Sequence, residues 1–177
     1  VVLPPGCQIM AQEDNLLLPE KKMENSMAAV KIAGNILNTD FSLSYFRGHD
    51  DIPLASSVLM APIDPSNSAS MKLDTELTFP KIQTIGADIA GEFLSIGFWA
   101  EGALFIPEEV AMNITSPGQQ GQMQTVQQVV LEDDPYLKYS LGLDYTFKGG
   151  IYINAQYMHG FFAERGGDNL EDYLMAR

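Results

Sequence analysis

The stretch at residues 136–162 constrains the fold of this chain more than any other. Apolar residues recur at every second position over residues 137–147, with polar or very small residues between them. A Lys-Gly-Gly break at residues 148–150 interrupts this alternation, which resumes over residues 151–157. A period of two on both sides of a glycine-rich break predicts a β-hairpin with one apolar and one polar face. Strands of about ten residues are long for a globular domain, and they match the length that a tilted strand needs to cross a bilayer.

Two further stretches repeat this pattern, at residues 26–48 and 81–107. In each, alternating residues flank a short turn, which is predicted at residues 38–40 and 94–97. An amphipathic helix is the competing interpretation of residues 26–36. The apolar residues there repeat at two rather than at three and four, and β-branched residues occupy the apolar face, which favours a strand. The chain therefore carries three predicted hairpins.

The segments between the hairpins show no comparable period. Residues 1–25, 49–80 and 108–135 are predicted to be loops, the last two unusually long. Residues 71–79 alternate partly and are predicted as a strand extension, and residues 110–131 contain a predicted protruding hairpin. Short turns at one end and long loops at the other are typical of outer-membrane barrels, whose short turns face the periplasm.

The predicted fold class is all-β: an antiparallel up-and-down meander of long amphipathic hairpins that forms part of a transmembrane β-barrel. Residues 1–177 make up one partial barrel domain in this interpretation. With the short turns in the periplasm, residues 1–25 and 163–170 lie on the outer side. Three hairpins supply fewer strands than the minimum of about eight in closed barrels of this type. We therefore expect an internal piece of a larger barrel, which further strands of the same protein or other copies would close.

Three runs of residues carry a resemblance to a known class of protein: TIGADIAGE at 84–92, GFWAEGA at 97–103 and YSLGLDYTF at 139–147. They resemble strands of bacterial outer-membrane β-barrels and are similar to the large porin-like, mostly uncharacterised barrel proteins of Gram-negative bacteria. The resemblance covers roughly residues 26–48 and 81–177 and is one of pattern. It implies a channel or transport barrel in the bacterial outer membrane, and it assigns no catalytic or binding residue.

Charged residues on the polar faces of the predicted strands are the candidate functional residues. A Lys or Arg that faces lipid near the bilayer midplane costs about 2–4 kcal/mol, so these side chains are expected to face the lumen of the barrel. Two interpretations stay open. The charges either pair across strands and hold the wall together, or form an array that sets ion selectivity. The predicted lumen-facing charged residues are Lys31, Asp88, Glu92, Glu101, Lys138 and Asp144.

Composition and motifs argue against several other function classes. The net charge is −13 with no basic face, which argues against a nucleic-acid partner. No run of about eighteen apolar residues is present, so no transmembrane helix is predicted. The chain lacks a nucleophile elbow, and His49, Asp50 and Asp51 are too few ligands for a convincing transition-metal site. We expect a protein that is not an enzyme, with no catalytic residue, no metal site and no cofactor.

The function predicted from the sequence is a channel or transport role across the outer membrane, with outer-membrane lipid and small solutes or ions as partners. The alternative is a soluble β-barrel that binds a ligand in an apolar interior, because alternation defines two faces without deciding which one lies inside. Small apolar residues fill such an interior poorly, which favours the first interpretation. They are Ala28, Ala87, Gly91, Ala100 and Gly102.

Overall fold

A computed structural model of the chain describes residues 8–64, 67–118 and 122–177. The fold is all-β, with two short 3-10 helices at Met23–Asn25 and Gly167–Asn169. The strands form two sheets, which confirms the all-β prediction. Among the described residues, no helix has the length and hydrophobicity needed to span a bilayer. In chain order the strands are β1 (Gln8–Leu17), β2 (Ala28–Ile36), β3 (Thr39–His49), β4 (Leu54–Asp64), β5 (Asn67–Thr78), β6 (Lys81–Phe93), β7 (Ile96–Pro107), β8 (Val110–Pro117), β9 (Met123–Leu131), β10 (Tyr136–Thr146), β11 (Tyr152–His159) and β12 (Asp172–Ala176).

The larger of two compact units comprises residues 26–49, 81–108 and 133–177. Its seven-stranded sheet has the order β12-β11-β10-β7-β6-β3-β2. Every neighbouring pair in this sheet is antiparallel. The strands at the two ends of this order, β12 and β2, are open edges, so the described strands form an open sheet and not a closed barrel.

Two of the short turns are two-residue turns with positive φ at both positions. Leu37 and Asn38 have φ values of 51° and 61°, and Leu94 and Ser95 have values of 51° and 63°. Positive φ at both central residues defines the type I′ turn, whose twist matches that of antiparallel strands. The first turn therefore lies earlier than the predicted residues 38–40, because Thr39 already pairs within β3.

The pairing register aligns like residues across the whole seven-stranded sheet. One row of cross-strand partners is apolar or glycine throughout, and the adjacent row is mainly polar. Since successive residues of a strand point to opposite faces, the two rows lie on opposite sides of the sheet. The apolar row consists of Gly34, Phe41, Ile89, Ala100, Leu141, Tyr157 and Leu174; the polar row consists of Ala33, Ser42, Asp88, Glu101, Ser140, Met158 and Tyr173.

The smaller unit corrects the prediction of one domain with long loops at 1–25, 49–80 and 108–135. In the described parts of these ranges lie β1, β4, β5, β8 and β9, which form a separate five-stranded sheet. Its order is β1-β5-β4-β8-β9, and the pairs β1–β5 and β4–β8 are parallel. Parallel partners are remote in sequence and need no alternating pattern, so neither signal reveals them. Residues 1–7, 65–66 and 119–121 of the predicted loops lie outside the described residues.

One face of the five-stranded sheet contains most of the buried apolar side chains of this unit. Register and burial place them on β4, β5, β8 and β9. The predicted hairpin within residues 110–131 corresponds to the antiparallel pair β8–β9. The buried side chains are Val58, Met60, Met71, Val110 and Leu131.

Candidate functional site

The seven-stranded sheet exposes its apolar side chains and buries small polar ones. Ser42 and Ser140 are each 4% exposed, whereas Leu43 and Leu141, the residues that follow them, are 61% and 47% exposed. In a water-soluble antiparallel sheet the apolar face is the buried one and the polar face is solvated. The larger unit differs from this arrangement: its apolar face is open, and on its polar face small serines are covered while the charged Lys31, Asp88 and Glu101 are exposed.

Two carboxylates lie side by side at the centre of the polar face. Asp88 on β6 and Glu101 on β7 are direct cross-strand partners. The hydroxyl of Ser42 donates a hydrogen bond to Asp88, and the hydroxyl of Ser140 donates one to Glu101 at 3.0 Å. Across β3, the Lys31 Nζ lies 3.4 Å from Oδ2 of Asp88. Like charges directly opposite each other repel, and these donors offset part of that repulsion.

Lys138 ties the loop after β11 to the polar face. Its Nζ donates hydrogen bonds to the backbone carbonyls of Phe161 at 2.7 Å and Glu164 at 2.5 Å. The same nitrogen lies 5.4 Å from the ring centroid of Phe105 and 5.8 Å from that of Tyr136, within cation–π range. These two rings stack on each other with their centroids 5.2 Å apart. The ammonium is thus held between an aromatic pair and two carbonyl oxygens.

A single carboxylate organises residues 160–171, which we call the anchored loop. Oε2 of Glu164 accepts hydrogen bonds from the backbone amides of Phe161 at 2.9 Å and Glu171 at 3.0 Å. Its Oε1 accepts a hydrogen bond from the hydroxyl of Tyr173 on β12. The hydrogen bond from Tyr173, followed by that from the amide of Glu171, lowers the pKa of Glu164. The ionised carboxylate therefore joins both ends of the anchored loop to the sheet.

Toward the short turns, large side chains lie across glycines of neighbouring strands on the polar face. Asp144, Gly97 and Glu92 are aligned across β10, β7 and β6. A Cβ atom at Gly97 would lie 2.7 Å from Oδ2 of Asp144, so the carboxylate occupies the space above this glycine. A Cβ atom at Gly142 would overlap the indole ring of Trp99 in the same way. Glycine at these two positions makes room for the side chain of the next strand.

A cavity of about 410 Å³ lies beside the carboxylate pair on the polar face. Its lining includes Asp88, Glu101, Lys138 and Ser140 from the sheet, together with Phe162 from the anchored loop. This volume falls within the range of small-molecule sites. The lining combines anionic acceptors, an ammonium and an aromatic ring, so the cavity suits a hydrated cation or a small polar solute.

A second polar group lies on the apolar face, at the end of the sheet remote from the short turns. Nδ1 of His159 is 2.7 Å from Oδ1 of Asp172, and the hydroxyl of Tyr157 donates to the same oxygen at 2.8 Å. The ring of Tyr139 lies 5.1 Å from that of His159 between centroids. In the described part of the chain, no group of three or more His, Cys, Asp or Glu side chains is placed to hold a metal ion.

The register assigns all the charged residues singled out in the sequence to the polar face, in three different settings. Lys31 forms an ion pair with Asp88, as the first interpretation expects. Glu101 lies beside that pair, and Lys138 holds the anchored loop. The two remaining acids, Glu92 and Asp144, lie toward the short turns. The six charged residues therefore share one face but not one role, since Lys31 and Asp88 form an ion pair and Lys138 binds the anchored loop.

Sequence reasoning did not identify Ser42, Ser140 and Glu164 as parts of this site. The two serines were visible only as polar members of alternating strands, because their carboxylate partners lie 46 and 39 residues away. Glu164 lies in a predicted loop, and its contacts with Tyr173 and Glu171 depend on the path of that loop. Each serine lies in the same cross-strand row as its acid, and this alignment would have identified it. The alignment is known only once the pairing register of the strands is known.

In comparisons with known proteins, no family model, curated protein or solved structure matches this chain. The likeness to outer-membrane barrels therefore rests on the pattern of the strands and on the distribution of exposed and buried side chains.

Proposed function

We propose that this chain is part of a porin-like β-barrel that conducts ions or small solutes across the bacterial outer membrane. The observation that carries the proposal is the open apolar face of the seven-stranded sheet, where Ser42 is 4% exposed and its neighbour Leu43 is 61% exposed. Apolar surface that lipid removes from water is stabilised by about 25 cal/mol per Å². Contact with a bilayer would therefore stabilise the sheet by removing its exposed apolar face from water.

The height of the apolar face supports the same proposal. On β10, apolar positions extend from Leu137 to Phe147, just beyond the end of the strand. At about 3.3 Å per residue this is about 33 Å along the strand, or about 25 Å along the membrane normal for a tilt of about 40°. Outer-membrane barrels carry an apolar band of about 25 Å. The strand therefore has the length to span that band.

The polar face supplies the wall of a water-filled lumen in this proposal. Of the six charged residues singled out from the sequence, four are carboxylates and two are lysines. Of the two lysines, Lys31 pairs with Asp88 and Lys138 binds backbone carbonyls of the anchored loop. Rings and strips of carboxylate favour cations in membrane pores. We therefore infer that the pore prefers cations to anions, with Asp88 and Glu101 on the wall of the path.

Closure of the barrel requires strands beyond those described. The open edges β2 and β12 present unpaired backbone groups, and the sheet has fewer strands than the minimum of about eight. Unpaired backbone groups are costly in lipid, so further strands of the same protein or of other copies must complete the wall. The alternative of a soluble ligand-binding barrel would enclose the apolar face, and Leu43, Ile89 and Leu141 are instead open on this sheet.

Fractionation and gel migration of the full-length protein test the proposal. We expect the protein in the outer-membrane fraction, and we expect its migration to change on heating, because a folded barrel resists detergent until it is boiled. After reconstitution into a planar bilayer, we expect conductance steps with a reversal potential that indicates cation preference. A protein that stays in the soluble fraction without detergent would contradict the proposal, as would a reconstituted barrel without conductance.

A further inference from the structure

Among the described strands, none pairs with the outer edge of β9 in the smaller unit. β9 ends the order of the five-stranded sheet and pairs with β8 on one side only. Along its length Val126 is 64% exposed and Val129 is 44% exposed. An edge strand presents a row of free amide and carbonyl groups, which is a template for pairing with another strand.

β9 lacks the sequence features that protect β1, the other edge strand of the same sheet, against pairing. From Val110 to Leu131 the chain contains no Asp, Glu, Lys, Arg or His, although charged residues make up 19% of the whole sequence. The register of β9 is regular from Met123 to Val129, because the only irregularity lies at its far end. Natural edges are blunted by charge, proline, bulges or short length. None of these interrupts the regular part of β9.

The other edge of the five-stranded sheet carries such features: β1 contains Glu13 and Asp14 and has a register irregularity. Within the smaller unit, β9 is therefore the edge that is suited to pair with a partner. The edges β2 and β12 belong to the larger sheet, where further strands complete the wall under the proposed function.

We propose that β9 joins two copies of this chain by antiparallel pairing about a two-fold axis at Val126. In this register Met123 of one copy faces Val129 of the other, and Thr125 faces Gln127. The continuous β9 ladder makes the two five-stranded sheets into one sheet across the interface. The partner is a second copy because β9 is its own complement in this register: over Met123–Val129 no charged side chain of one copy faces the other, which an acidic chain with a net charge of −13 requires of a contact with itself.

Electrostatics selects the antiparallel arrangement. Glu132, Asp133 and Asp134 directly follow β9, whereas the residues that precede Met123 are uncharged back to Val110. Parallel pairing would place the two acidic segments about 5 Å apart on adjacent strands. Antiparallel pairing separates the two Glu132 positions by about 40 Å, well beyond the Debye length of about 8 Å. The repulsion between the acidic segments is then screened.

The two-fold arrangement also predicts a discrete dimer. An interface that uses the same strand on both copies is self-complementary and closes after two chains. Pairing of β9 with the β1 edge of another copy would give a ring or a filament instead, and the acids Glu13 and Asp14 make that edge less suitable. The proposal rests on the smaller unit alone, so it is independent of whether the larger sheet lies in a membrane.

Distances between spin labels test the pairing and its direction. In the full chain with Cys7→Ser, the label is attached either at Val126→Cys or at Met123→Cys. We expect a distance below about 20 Å for Val126→Cys and a clearly longer one for Met123→Cys, because that residue lies three positions from the axis on each copy. Equal short distances at both positions would mean parallel pairing and overturn the proposal. The absence of any distance within reach of the method would overturn it as well.

Charge substitutions at the axis provide a second, independent measurement. Val126→Lys places two ammonium groups opposite each other, and we expect the dimer to dissociate at least tenfold more readily by sedimentation. Leu16→Lys adds the same charge in place of an apolar side chain that is 57% exposed on β1, the opposite edge of the sheet, and should leave the dimer unchanged. An equimolar mixture of Val126→Lys and Val126→Glu should form the dimer again. A wild-type monomer at all concentrations, a polymer, or equal effects of Val126→Lys and Leu16→Lys would refute the inference.

Discussion

A pair of substitutions at adjacent residues of β6 tests which face of the larger sheet meets lipid. Ile89 belongs to the apolar row and is 42% exposed, and Ala90 points to the polar face beside Asp40. Arginine is introduced at one position or the other, so the introduced side chain is the same and the face to which it points differs. Ile89 lies midway between Ile85 and Phe93, each about 13 Å away along the strand, and therefore near the centre of the apolar band.

The expected cost follows from this depth. An arginine that faces lipid at the midplane destabilises an outer-membrane barrel by about 2–4 kcal/mol, which lowers the folding equilibrium constant about 30-fold to 1,000-fold. Ile89→Arg should carry this cost. Ala90→Arg should be close to neutral, because it meets water and the carboxylate of Asp40. Urea titration of the full-length protein in lipid vesicles measures both, as a lower midpoint with an unchanged slope for Ile89→Arg.

The dependence of the arginine cost on depth along β6 distinguishes a lipid environment from an apolar protein interior. In a bilayer, arginine at Ile85 or Phe93 lies near an interface and should cost only about 0–1 kcal/mol. In the interior of a soluble barrel, an arginine at any of the three positions would be buried without a partner and equally costly. A flat profile over these positions would refute the membrane proposal, as would a larger loss from Ala90→Arg than from Ile89→Arg.

Three further predictions concern the polar face. Gly142→Ala should lower the free energy of unfolding by about 1–3 kcal/mol because its methyl group would overlap the ring of Trp99, and a neutral effect in urea titration would contradict this packing. The pKa of Glu164 lies below its ordinary value, so its stabilisation is complete above about pH 4.5 and is lost as the pH falls through the folded pKa. After correction for the intrinsic pH dependence of exchange, the protection factors of amides in the anchored loop should fall on acidification in the wild type, and Glu164→Gln should remove that pH dependence. Glu101→Gln should move the reversal potential toward zero in a salt gradient, and an unchanged potential would exclude this carboxylate from ion selection.

The strands and faces of the larger unit were largely readable from the sequence. Alternation over residues 81–107 and 136–162 identified the strands of β6, β7, β10 and β11, because a period of two places every second side chain on the same face. The same rule assigned Asp88 and Glu101 to one face before their pairing was known. The first turn was misplaced by one residue, since Leu37 is not a residue that turn chemistry favours at positive φ.

The smaller unit was only partly readable in this way. The partial alternation of residues 71–79 predicted the second half of β5, and the predicted hairpin within residues 110–131 corresponds to β8–β9. The parallel pairing of β1 with β5, about sixty residues apart, and of β4 with β8 could not be found from a short turn. Prolines in residues 49–80 disguised β4 as loop, although Pro62 lies within β4 beside a register irregularity.

What the sequence by itself determined is the set of amphipathic strands and the division of residues between two faces, because both follow from the local geometry of an extended chain. What only the tertiary structure decided is which side chains on the polar face are buried and which groups form hydrogen bonds there. The hydrogen bond from Ser140 to Glu101 and the hold of Lys138 on the anchored loop join residues of different elements. Those contacts depend on register and on the path of a loop, which local pattern does not specify.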